Sequence, residues 1–350
     1  MKKILIMLLI VAFAAALVLG GVSCKKEAAE TTAAETAAET TAAAAGVKIG
    51  YSMPFIEDSP YCFPFSKALK SSAESRGWEI ILTDAKGDIN TQVNQVEDLA
   101  AQDLDGLLVM PTDAAGIVSV LEKVHGEYPD LPILISNTMT DPAEIDAVRG
   151  FAGPNSYLEG KQMGAEYVKY VEEKGLDVIN YCHLTGMAGY GAAIDRENGF
   201  NDAVKEAGAE AKFNLLDLQP GDWSPDKGQT ITENWITTFG DELQMIYAHN
   251  DGMGIGVVNA LKAAGVEPGK IVTNGCDGQT QAVQMVKDGW MLFTIFQSPI
   301  SDGELSMAVM EKILKGETVE YFTYLETPTV DASNAEEYLP KAIEIWGAEY

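Results

Sequence analysis

From residue 47 onward the chain switches repeatedly between two patterns of apolar and polar positions. Short apolar runs bounded by polar residues occur at 47–52 (VKIGYS), 79–83 (EIILT), 106–110 (GLLVM) and 132–136 (PILIS). They predict strands buried on both faces. Between them apolar residues recur at helical spacing: at 65–76, stopped by Gly77; at Val93, Val96, Leu99 and Ala100; and at 114–124, with Asp113 as the expected N-cap. Strand–helix alternation of this kind implies right-handed crossovers and a parallel sheet with helices on both faces. After AVRGF and GPNS the alternation restarts, with strands expected at 178–184, 212–218, 244–248, 270–275 and 292–296. Helices are expected at 157–173, 192–207, 229–239, 253–264 and 279–287. Beyond Pro299 come a helix to Lys315, a strand at 321–325, PTVDASN as a plain connection and a helix at 335–346. The pattern is two similar βα units, and the last elements are too few for a third domain and return to complete the first two.

The segment before residue 47 follows other rules. Lys2 and Lys3, the apolar stretch 4–19 and the small residues Gly20 to Ser23 ahead of Cys24 read as a secretory leader over 1–23. The apolar stretch is also long enough for an uncleaved membrane anchor. Residues 24–46 are almost entirely Ala, Glu and Thr after the first few positions, a solvated linker with no apolar face to bury.

Charge and cysteine content narrow the function classes. Within 350 residues, 52 acidic against 24 basic side chains give a net charge of −28, a field that repels nucleic acid and anionic membrane surfaces. Of four cysteines, Cys62, Cys182 and Cys276 are scattered without paired spacing, which argues against a disulfide framework or a CxxC site and for buried small apolar groups.

Candidate chemistry lies where strands end, because open α/β sheets bind ligands at their carboxyl edges. The stretch MIYAHNDGMGIG is the clearest such junction: a strand stops at His249, Asn250 and Asp251 before a helix begins. Either polar residue could face a ligand or cap that helix; Asn250 is read as facing ligand and Asp251 as the cap. Ser59, Tyr61 and Cys62, then Ser136, Asn137 and Thr138, Arg196, Asp222 and Trp223, Asp277 and Gln297 occupy comparable places. Amides, carboxylates, an arginine and flat aromatics suit a neutral polyol, whose hydroxyls need donors and acceptors and whose C–H faces need apolar walls. The three histidines, His125, His183 and His249, have no metal-ligand or nucleophile spacing, and GxSxG, HExxH and GxxxxGK[ST] are absent. No enzyme, metal or cofactor is expected.

The motifs DSPYCFPFSKAL, TQVNQVEDLAAQDLDGLLVMPTD, LPILISN, AIDRENGF, AHNDGMGIGVVNALKAAG, VTNGCDG and IFQSP, in this order, resemble the ribose/galactose type of periplasmic sugar-binding protein. The likeness covers 47 to about 325. It implies an α/β fold of two similar doubly wound parallel-sheet lobes joined by a three-crossover hinge, the type I periplasmic binding protein architecture. The lobes are then 47–153 plus 298–326 and 154–297 plus 327–350, with crossovers near Gly153, Gln297 and Thr327. The resemblance carries ligand contacts to Ser59, Tyr61, Asn137, Arg196, Trp223, Asn250, Asp277 and Gln297. Ser59 stands in place of a usual Asn, Cys62 in place of an aromatic, and Asn137-Thr138 in place of an Asp-Arg pair. Cys24 resembles the lipidated cysteine of bacterial lipoproteins, with Gly21 where Leu is usual.

These likenesses imply a monomeric receptor anchored by lipid at Cys24 in the periplasm or at the cell surface, presenting a monosaccharide or related polyol to an ABC permease and its ATPase. The alternatives are a sensor feeding a signalling receptor, or the same fold binding a nucleoside, a furanose-like signal or a cation.

Overall fold

The computed structural model describes residues 46–348; the leader, the linker up to residue 45 and Cys24 lie outside them. The first part of the chain forms β1 (Lys48–Met53), α1 (Cys62–Ser75), β2 (Glu79–Asp84), α2 (Ile89–Ala100), β3 (Gly106–Val109), α3 (Val118–Glu127), β4 (Ile133–Ser136) and β5 (Phe151–Pro154). The second comprises α4 (Ser156–Glu173), β6 (Ile179–Thr185), α5 (Gly191–Glu206), β7 (Phe213–Pro220), α6 (Pro225–Phe239), β8 (Met245–Ala248), α7 (Asp251–Ala263), β9 (Val272–Thr273), β10 (Gly275–Asp277), α8 (Thr280–Lys287) and β11 (Phe293–Phe296). The chain ends with α9 (Pro299–Leu314), β12 (Phe322–Leu325), β13 (Thr329–Asp331) and α10 (Ala335–Trp346).

All strands of the first sheet are parallel, in the order β12-β5-β4-β3-β1-β2. Successive side chains on a strand point to opposite faces, and here both faces are covered. Leu107, Val109, Ile133 and Ile135 pack towards α2 and α3. Leu108, Leu134, Ile49 and Tyr51 pack towards α1 and α9. Each fully buried large side chain contributes roughly 1.5–3 kcal/mol, which is why these strands are continuous apolar runs. The second lobe is built alike. Tyr181, Tyr247, Phe293 and Ile295 face α4 and α5, while Cys182, Ile246 and Ala248 face α6 and α7. Its strands form two pieces, β7-β6-β8-β9 and β10-β11-β13. The break falls at Asn274, whose side chain replaces the missing ladder: Oδ1 accepts from Ala248 N–H at 3.0 Å and from Tyr167 Oη at 2.8 Å, and Nδ2 donates to Ala248 O at 2.9 Å. This buried amide, with a backbone bond from Leu292 N–H to Thr273 O at 2.8 Å, joins the two pieces.

Three local expectations are corrected. PTVDASN is not a plain connection, because Thr329–Asp331 adds to β11 as an antiparallel strand, a pairing that three residues without periodicity do not announce. Asp113 does not cap α3: its Oδ1 accepts from Gly116 N–H at 2.7 Å and closes a preceding turn, and the helix starts at Val118. Asp251 is not the cap of α7. Asn250 is, with its Oδ1 accepting from Met253 N–H at 3.0 Å. Asp251 is buried and accepts from Gln279 N–H and Thr294 Oγ1, both at 2.6 Å, so it ties α7 to β10 and β11. Cys62, Cys182 and Cys276 are free and buried, as small apolar groups would be.

Candidate functional site

The carboxyl ends of the strands of both lobes meet at one cleft. Ser59, Pro60 and Tyr61 enter it from the loop after β1, Asn137 from the end of β4 and Arg196 from α5. Trp223 follows β7, Asn250 follows β8, Asp277 closes β10 and Gln297 follows β11. All eight residues singled out from the sequence therefore line the same cavity, together with Phe55, Cys62, Ser156 and Tyr190. It encloses about 580 Å³ of empty space including its mouth, within the range of small-molecule sites, so the cleft suits one small solute.

Backbone strain gathers here. Six non-glycine residues among those described have φ in the left-handed region, and Asn137 (63°), Asp222 (50°), Trp223 (64°) and Asp277 (142°) are four of them. Conformations of this kind cost about 1–3 kcal/mol each and persist where surrounding structure enforces them, most often at binding sites. The turn at Asp222 and Trp223 swings the indole under Gly186, where any Cβ would overlap the ring. Trp223 then meets Tyr190 edge-on at 5.5 Å between centroids, and the Arg196 guanidinium lies 5.8 Å from the indole. A flat aromatic wall results.

Arg196 is fixed from behind. Its Nε and Nη2 donate to Glu159 Oε2 at 3.0 and 2.8 Å, and Nη1 donates to His249 O at 2.8 Å. This buried pair forms because α4 and α5 pack backbone to backbone: a Cβ on Gly160 would strike the main chain of Arg196, and one on Gly199 the carbonyl of Tyr157. Each terminal nitrogen keeps one further N–H for the cleft. Below lies a histidine pair, Nε2 to Nε2 at 2.7 Å, with Gly186 N–H donating to His249 Nδ1 at 3.3 Å. An acceptor at Nδ1 leaves the hydrogen on His249 Nε2, which donates to His183. Burial pushes His183 down to about 3 and His249 well below its ordinary value, so both rings are neutral.

Two carboxylates and three amides complete the polar set. Gln297 Nε2 donates to Asp277 Oδ1 at 2.7 Å and Gln279 Nε2 to Asp277 Oδ2 at 3.3 Å. Burial raises Asp277 to about 6, against the pull of Arg196 and of these amides. Asn137 Nδ2 and Tyr61 Oη both donate to Asp302 Oδ2, at 2.7 and 3.0 Å. Gln297 Oε1 and Trp223 Nε1 are buried without a protein partner. Across the cleft Ala114 N–H donates to Gly189 O at 2.9 Å and Ala192 N–H to Thr138 Oγ1 at 2.8 Å, which joins the lobes in a closed arrangement.

Six residues of the site were not picked out from the sequence: Phe55, Ser156 and Tyr190 in the lining, and Glu159, Gln279 and Asp302 behind it. For Glu159 a signal existed in the glycines at 160, 164 and 199, whose spacing marks a close helix pair. Among the described residues no cluster of three metal-ligating side chains occurs, and no helix is long and apolar enough to cross a membrane.

A family model described as the periplasmic binding protein domain matches residues 49–318. The ribose import binding protein of Haemophilus influenzae is 30% identical over 263 residues, which cover 75% of this chain and 84% of that protein. The crystal structure of a galactofuranose binding protein matches with a TM-score of 0.77 at 27% identity, covering 86% of this chain and 99% of that one. An ABC transporter solute binding protein from Bacillus halodurans with bound myo-inositol matches with a TM-score of 0.74 at 26% identity, covering 84% and 98%.

Proposed function

The chain belongs to the periplasmic binding protein family, and on that premise we propose that it is the receptor of an ABC importer, capturing a monosaccharide or related polyol between its lobes and delivering it to the permease. One observation carries the reading: aromatic walls and hydrogen-bonding groups from both lobes converge on a single cleft sized for a small solute. Trp223, Tyr61 and Tyr190 supply flat apolar surface. Arg196, Asn137, Asn250, Asp277, Gln297 and Ser59 supply the polar contacts. A sugar hydroxyl needs both kinds of partner, and a C–H face needs the rings.

The family relationship implies an extracytoplasmic location. Lipidation at Cys24, with 1–23 as the removed leader and 24–46 as spacer, is the finer proposal, and labelled palmitate incorporated by the full chain but not by Cys24→Ala would support it. We assign 47–153 with 298–326 to one lobe and 154–297 with 327–350 to the other, a division supported by the separate sheets. The protein acts as a monomer and as a binder rather than an enzyme. Closing of the lobes on ligand is a hinge motion, and ligand shifts it only as far as it prefers the closed state.

A thermal-shift screen of the full chain against sugars, polyols, nucleosides and polyamines tests this. At about one hundred times its dissociation constant a ligand stabilises by roughly 2.7 kcal/mol. Silence from every sugar and polyol overturns the ligand class, and turnover of a bound sugar overturns the binder-only reading.

A further inference from the structure

Asp302 does not line the cleft. It sits in the first turn of α9, fully buried, just after the chain leaves β11. Both donors that reach it use the same oxygen: Asn137 Nδ2 at 2.7 Å and Tyr61 Oη at 3.0 Å, while Oδ1 is buried without a partner. A buried carboxylate satisfied on one oxygen only is a costly way to stabilise a fold. Its consequence lies in what it orients. An amide has one donor end and one acceptor end. With one N–H of Nδ2 held by Asp302, the Asn137 amide is fixed in orientation and its Oδ1 is left for the cleft it lines, while the Tyr61 hydroxyl, having donated its hydrogen, keeps only lone pairs.

On the opposite lobe the assignment is reversed. Asn250 spends its Oδ1 on Met253 N–H and so has only Nδ2 left for the cleft, beside the remaining N–H groups of Arg196 and the unpartnered Trp223 Nε1. Gln297, by contrast, donates from Nε2 to Asp277 and keeps Oε1 as an acceptor. The cleft is therefore polar in a second sense: acceptors at Asn137 and Tyr61 face donors at Asn250 and Arg196.

We propose that Asp302 is a positioning residue that sets specificity, fixing the Asn137 amide and the Tyr61 hydroxyl so that Asn137 Oδ1 and Tyr61 Oη stand in the cleft as acceptors, to which the ligand presents free hydroxyls or other donors. This rests on the sugar-binding reading above and deepens it to the arrangement of donors on the solute.

Two arms test it. In the first, ribose, galactose and myo-inositol are titrated calorimetrically beside their monofluoro-deoxy analogues, since fluorine cannot donate. One fluorinated position is expected to lower affinity about 5- to 100-fold in the unsubstituted chain, because a buried acceptor loses its partner. In Asp302→Asn the new amide can donate to Asn137 Oδ1 and release Nδ2 to the cleft, and the same penalty is expected to fall below about threefold. Equal penalties in both proteins overturn the proposal, whatever happens to absolute affinity.

The second arm needs no ligand. The Asn137 side-chain amide, identified by NMR from its loss in Asn137→Asp, is expected to carry one proton shifted downfield by Asp302. That shift should be lost on titrating Asp302, which burial pushes up to about 7. The other ionisable groups around it are Tyr51, Tyr61 and Tyr190, which burial raises well above their ordinary values, Cys62, raised to about 12, Glu159, paired with Arg196, and in the same cleft Asp277, raised to about 6. The tyrosines and the thiol do not titrate in that window, and Asp302→Asn separates the response of Asp302 from that of Asp277. An Asn137 amide with no downfield proton at pH 8, or one whose downfield proton survives in Asp302→Asn, overturns the proposal. Silence of all three sugars would instead count against them as ligands, with the amide measurement still deciding the role of Asp302.

Discussion

Glu159 grips Arg196 through a single oxygen: both Nε and Nη2 of the guanidinium donate to Oε2 in a pair that is 0% and 4% exposed. Removing one partner of such a pair leaves the other charge buried, which costs roughly 3–5 kcal/mol, whereas replacing both by apolar groups is often nearly neutral. Glu159→Met and Arg196→Met are each expected to lower unfolding stability by about that amount in urea titrations, and the double variant to regain most of it. Affinity should stay lost in the double variant, because the N–H groups facing the cleft are gone. A double variant as unstable as either single one would contradict this account.

Gly186 leaves room for the indole of Trp223, since a methyl group there would overlap the ring. Gly186→Ala is therefore expected to displace the aromatic wall without deleting it, lowering affinity at least about tenfold, or 1.4 kcal/mol, with a changed tryptophan emission. Trp223→Ala should lose affinity to a similar degree. Wild-type affinity in both variants would mean that the indole does not contact the ligand.

Thr138 Oγ1 accepts from Ala192 N–H across the cleft at 2.8 Å, a bond that opening of the lobes is expected to break. In Thr138→Val the first turn of α5 keeps an N–H without its partner, a loss of about 1 kcal/mol. Water can satisfy that N–H in the open state, so the loss falls on closure. Stopped-flow kinetics should show ligand leaving about five times faster with association little changed. A slowed association with unaltered release would show that Thr138 acts before closure.

Protonation gives a fourth expectation. Burial raises Asp302 to about 7, so between the ordinary carboxyl range and pH 7 the folded state binds a proton that the unfolded state has released. The resulting destabilisation is fully present above pH 7 and relieved as pH falls. His183, pushed down to about 3, acts oppositely: it favours folding above about pH 6.5 and the advantage is lost below. In a comparison of Asp302→Asn with the unsubstituted chain the histidine contribution cancels. The variant should gain relative stability from pH 5 to pH 8, by roughly 3 kcal/mol. Parallel melting curves across that range would place the Asp302 titration elsewhere.

The strands were legible because a sheet buried on both faces must be written as unbroken apolar runs, and Leu107 to Val109 or Met245 to Ala248 can hardly be read otherwise. The eight cleft residues were legible because they stand where such runs stop. Glu159 and Asp302 were not. Each is an acidic residue in the first turn of a helix, a place where carboxylates are common and solvated, and nothing nearby in sequence shows that Arg196 or Tyr61 will cover it. Asp302 and Tyr61 lie 241 positions apart. Asn250 and Asp251 are equally good caps by type, and only the arrival of Gln279 and Thr294 decides between them. Thr329 to Asp331 has too few residues for any period, and its strand exists because β11 offers an edge.

Asn274 has a mechanical consequence. Its single amide occupies the seam where the second lobe would otherwise shear, and it is clasped by Ala248 from two sides and by Tyr167 from a third. Sliding one half of that lobe over the other would break these bonds together in a dry interior, which stiffens the lobe along this seam. A lobe stiff there would carry a displacement made at Trp223 to its far side as a change of angle.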